Sequence, residues 1–95
     1  MTQFSSDLTV TVNLTESDIR EAPRPVVSCE SCPLAVAISR AIGEPCWVGM
    51  IDWGSSSSPR WGFLPKIAHD FRRQFDGKGE LPKPISFEIE VEENR

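Results

Sequence analysis

The stretch ISFEIEVE, residues 85–92, alternates apolar and polar side chains without a break. Successive side chains on a strand point to opposite faces of a sheet. Ile85, Phe87, Ile89 and Val91 therefore share one face, and Ser86, Glu88, Glu90 and Glu92 the other. A helix would scatter the same apolar residues around its circumference. The chain must build a sheet with one dry and one wet face, which antiparallel and mixed sheets have and buried parallel sheets do not. LTVTVNL (8–14) repeats the pattern, with Leu8, Val10, Val12 and Leu14 on the dry side.

Something must cover that dry side, and two amphipathic helices are available. Residues 33–42 place Leu34, Ile38, Ala41 and Ile42 at helical spacing, with Pro33 suited to the first turn and Gly43 to the exit. Cys32 or Ser31 is placed to cap this helix. Residues 65–75 open on Pro65 and carry a stripe of Leu64, Ala68, Phe71 and Phe75, widened by Ile67. TESD (15–18) has the form of a capping box for a single turn, stopped by the prolines of APRP (22–25). CWVGMIDWG (46–54) reads as one strand, with Val48 and Met50 on one face and Trp47, Gly49, Ile51 and Trp53 on the other. GSSSSP (54–59) reads as a flexible connection to a short returning strand, RWGF (60–63). The expected fold is α+β: a small two-layer domain with a three- to four-stranded antiparallel or mixed sheet and two helices on one face. Residues 1–95 form one domain, with flexible ends at 1–6 and 93–95.

Fourteen acidic residues against ten basic ones leave a net charge of −4. That balance disfavours direct nucleic-acid or anionic-membrane binding and permits a basic protein partner. No apolar run approaches the length of a membrane span, and MTQFSSDL lacks the basic start and apolar core of a secretory signal. The expected location is the cytoplasm, where thiols stay reduced.

Three segments carry a resemblance: CPLAVAI opening a helix, LPKIAHDFRRQFDGKG as helix and exit, and the final PISFEI strand. Over residues 30–90 the chain resembles a group of small proteins encoded by bacteriophages and prophages. The shared motifs are structural, so no functional residue carries over. The resemblance implies a mobile-element origin, and with it a small accessory protein that binds and blocks a host machine, CRISPR–Cas and other defence systems included.

Candidate site residues fall into three groups. Cys29, Cys32, Cys46 and His69 supply enough ligands for a structural zinc ion, but the second C-x2-C or H-x3-H pair of a zinc module is missing. Cys32 at a helix start has the position of a reactive thiol, which Glu30 inside the C-x2-C opposes. The preferred reading is that these cysteines pack or cap. The second group, Trp53, Arg60 and Trp61, flanks the serine loop and combines large apolar area with a planar charge, the composition of interface anchors, although the tryptophans suit equally well the closing of the open end of a small core. The third, Glu88, Glu90 and Glu92, forms a row about 6.6 Å apart, close to the spacing of phosphates along a nucleic acid. Such a row mimics nucleic acid toward a basic partner. The stronger reading is an edge strand kept soluble, or carboxylates opposed by Lys and Arg across the sheet. The basic residues Lys66, Arg72, Arg73, Lys78 and Lys83 read as a solvated face.

No catalytic constellation is evident: His69 has no nearby partner for nucleophilic work, and no glycine-rich phosphate loop is present. The leading expectation is a non-enzymatic, cofactor-free interaction protein, monomer or homodimer, that inhibits a host protein with a basic, nucleic-acid-binding surface. The alternatives are a protein that sequesters a nucleotide signal, using Arg60, Arg72 and the tryptophans, and a structural zinc protein.

Overall fold

The computed structural model describes residues 8–22, 30–77 and 80–93. The chain runs β1 (Leu8–Leu14), α1 (Glu16–Glu21), α2 (Pro33–Ile42), β2 (Cys46–Val48), β3 (Asp52–Ser55), β4 (Arg60–Phe63), α3 (Lys66–Asp76) and β5 (Ile85–Glu93). The α+β class agrees with the sequence pattern. The sheet, however, has five strands rather than three or four, all antiparallel, in the order β1-β5-β4-β3-β2.

The added strand comes from the 46–54 segment, which folds as a hairpin instead of one strand. The Gly49 amide donates to the Asp52 carbonyl at 2.7 Å, closing a turn at residues 49–51. This turn reverses the facing of everything after it. Val48 pairs directly with Trp53, so these two share the inner face, and Trp47 pairs with Gly54 on the outer face. Glu93, expected to belong to the flexible end, is the last residue of β5 and pairs with Arg60. Residues 1–6, 94 and 95 lie outside the described residues.

The core lies between the sheet and its helices. Val12 and Leu14 of β1, Phe87, Ile89 and Val91 of β5, and Val48 and Trp53 meet Leu34, Ala35 and Ile38 of α2 and Ala68, Phe71 and Phe75 of α3. Both main helices thus use the stripes that their sequences predicted, except that Ile67, expected to widen that of α3, is 43% exposed because it lies off the face turned to the core. The Cys32 sulfur caps α2 by accepting from the Ala35 amide at 3.4 Å, and Gly43 ends it in the left-handed region at φ 89°.

Thr15 and Asp18 form the predicted capping box of α1. Asp18 has a second role that spacing does not reveal. Its two oxygens accept from the Arg40 guanidinium at 2.7 and 3.1 Å, and Arg40 also donates to the Asn13 carbonyl at 2.8 Å. One fork thereby ties α2 to α1 and to the end of β1. The Arg40 hydrogen bond is the main cause that holds the Asp18 carboxyl below its ordinary 3.8. A depressed folded-state pKa stabilises fully above the unfolded value and is lost as pH falls through the folded one. Asp18→Asn is therefore expected to cost about 1 kcal/mol at neutral pH, a modest figure because Arg40 is half exposed. The gap to the unaltered protein should close as thermal melts are taken down through pH 4 toward pH 2. A gap independent of pH would show that the fork contributes nothing.

Candidate functional site

The cysteines have structural work. Cys46 is buried, its thiol donates to the Glu44 carbonyl at 3.3 Å, and burial pushes it up to about 11. Burial likewise raises the Cys32 thiol, against the weaker pull of the helix amides. Thiolate chemistry needs the opposite shift. Cys32, Cys46 and His69 do not come together: among the described residues no group of three or more metal-ligating side chains is found. Cys29 lies outside the described residues.

The three hairpin anchors separate. Trp53 is 0% exposed, so it is a core residue and not a surface anchor. The reason is the turn at 49–51, which puts Trp53 level with Val48, facing the helices. Arg60 and Trp61 are adjacent on β4 and so point to opposite faces. Arg60 is held by Glu44 at 3.1 Å, with Glu93 at 3.9 Å. Glu44 also gathers the serine loop: its carboxylate accepts from Ser55 at 2.6 Å and from Ser57 at 2.9 Å. These bonds, that from Ser55 first, draw its pKa down. The loop read as flexible is therefore pinned at its base. Arg72, assigned to a nucleotide pocket in the alternative reading, donates to the Gly49 carbonyl and holds the β2–β3 turn against α3. Lys66 pairs with Asp70 at 2.9 Å, and Lys78 lies outside the described residues.

What does assemble is the outer face of the sheet. Trp47, Gly54, Trp61 and Glu92 stand in one cross-strand row over β2, β3, β4 and β5. The Trp47 indole lies over Gly54, where a β-carbon would come within 2.7 Å of its Cε2. Only glycine lets the ring settle flat there. Trp61 meets Phe63 edge to face, with centroids 5.2 Å apart at 79°. Phe63 is 61% exposed, and the turn beside it leaves Met50 80% and Ile51 59% exposed. The Leu64 amide bonds the Ile51 carbonyl at 2.9 Å, which fixes the turn beside the end of β4. Sequence reasoning passed over Phe63, although RWGF gives it the parity of Trp61.

Glu88, Glu90 and Glu92 continue this face on β5. Their cross-strand neighbours are Thr11, Thr9 and Trp61, so no Lys or Arg opposes them, and β5 lies between β1 and β4, although β4 pairs only with Glu92 and Glu93. The opposing-cation explanation therefore fails, and the soluble-edge explanation is left only for the part of β5 that β4 does not pair. The carboxylates border a groove of about 300 Å³ lined by Phe63, Leu64, Pro65 and Ile89 together with the three glutamates. Arg60, Arg72 and the tryptophans are not among its lining residues.

No family model, curated protein or solved structure matches the chain. No helix among the described residues is long and apolar enough to cross a membrane.

Proposed function

We propose that this chain is a small interaction protein that binds and inhibits a basic host protein through the outer face of its sheet. The observation that carries the reading is an uncovered apolar group, Phe63, Ile51 and Met50, with the half-buried Trp61 packed against Phe63, beside three glutamates with no cation opposite them. A small domain that leaves large apolar side chains in water has a use for them at an interface. Carboxylates at its border select partners of opposite charge and speed their encounter. The resemblance to phage-encoded proteins supports a bacterial cytoplasmic partner. A CRISPR–Cas or other defence component, whose nucleic-acid channel is basic, is the class that fits a row of carboxylates at phosphate-like spacing. The protein acts as a monomer or a homodimer.

Phe63 is the test position, because its exposed ring can be removed without opening the core. Pull-down from a bacterial lysate should recover a stoichiometric protein, and Phe63→Ala should weaken that capture about thirtyfold. Recovery of no such protein, or capture unchanged by Phe63→Ala, would count against the reading.

A further inference from the structure

The two ladders on β5 are unequal. Toward β1 it is bridged from Ile85 to Val91, whereas toward β4 it is bridged only at Glu92 and Glu93. Gly62 still lies against the Glu90 carbonyl, but beyond it β4 runs on through Leu64 and Pro65 into α3. From Ile85 to Ile89, about 13 Å of strand, the β4 side of β5 meets no strand among the described residues. The groove opens at this place, floored by buried Leu64 and Ile89, with exposed Phe63 on one wall and Glu88 and Glu90 on the other.

We infer that this open side of β5 takes an extended segment of the partner as an added strand, with Lys or Arg at alternate positions. The inference rests on the interaction reading above and specifies its binding mode. Unpaired strand backbone is a template for main-chain hydrogen bonds, and pockets along it read alternate side chains. Side chains of the added strand that share the outer face stand opposite or diagonal to Glu88 and Glu90, within reach of an ion pair. Those carboxylates have no ion pair of their own among the described residues. The Phe63 ring offers a face to the same cations. A second copy of this chain is a poor occupant: its β5 would bring one glutamate row against another, and its β1 carries no charge.

A synthetic peptide alternating lysine and threonine is the probe, alongside the same peptide N-methylated on alternate amides. Binding is read by calorimetry, and hydrogen exchange is followed on β5. The unmodified peptide should bind at least about tenfold tighter than the methylated one, and should slow exchange of the β5 amides that do not bond to β1. The Glu88→Lys, Glu90→Lys double variant, altered only at exposed positions, should lose about tenfold or more while melting normally. Equal binding of both peptides would overturn strand addition and leave a side-chain interface standing. So would no binding, amides already protected in the free protein, or a dimer in light scattering that the peptide fails to dissociate. Failure of the broader reading looks different: host-protein capture would then be absent or indifferent to Phe63→Ala.

Discussion

Replacing Trp53 by alanine is expected to lower the unfolding free energy by about 3–5 kcal/mol, the cost of truncating a large buried aromatic. Trp53 is wholly buried and is the largest of the fully buried side chains. Its indole lies on Gly62 of the neighbouring strand, where a β-carbon would stand 2.7 Å from Nε1. The ring therefore fills the space that glycine leaves, and alanine would open a cavity between sheet and helices. A domain of this size has about 5–14 kcal/mol of stability in all, so the variant should show a much lower denaturant midpoint with an unchanged slope. Trp53→Phe should cost less than half as much. The buried Nε1 has no hydrogen-bond partner among the described residues, and phenylalanine removes that orphan donor along with the lost area. A midpoint barely altered in Trp53→Ala would place Trp53 at the surface and restore it as a candidate anchor.

Phe71→Ala is the second large effect, again about 3–5 kcal/mol. Phe71 is 4% exposed and stacks on Phe75 one turn later, with centroids 6.2 Å apart and planes within 8°. With Ala68, the pair is the apolar stripe by which α3 joins the core. Ile67 is 43% exposed and the other residues of α3 are polar, so this stripe is what holds the helix in place. Equilibrium denaturation followed by far-ultraviolet circular dichroism checks it. A variant that keeps its midpoint would mean that α3 is not docked through this face.

Several features are legible in the sequence because they depend on local chemistry. The alternation of 8–14 and 85–92 requires strands, since only a two-residue period brings Val12, Leu14, Phe87 and Ile89 to one side. The caps Thr15, Cys32 and Gly43 act on neighbours within a few residues, and they stand where the sequence places them. Segment 46–54 misled for an equally local reason. Its turn carries Met50 and Ile51, which prolong the apolar run, whereas most turns announce themselves with polar residues. A turn that leaves its own apolar residues in water has no polar signature.

Sequence by itself determined the element types, the inner faces of β1 and β5, and the helical stripes, because each follows from side-chain period and end chemistry along a single segment. Only the tertiary structure decided which tryptophan is core and which is surface. That depends on one hairpin turn, whose insertion inverts the facing of Trp53 relative to Trp47. It likewise decided that Arg60 belongs to Glu44, that Glu88 and Glu90 lie opposite threonines, and that β4 leaves β5 after two paired residues. Cross-strand neighbours are set by register between segments far apart in the chain, and no periodicity within one segment encodes them.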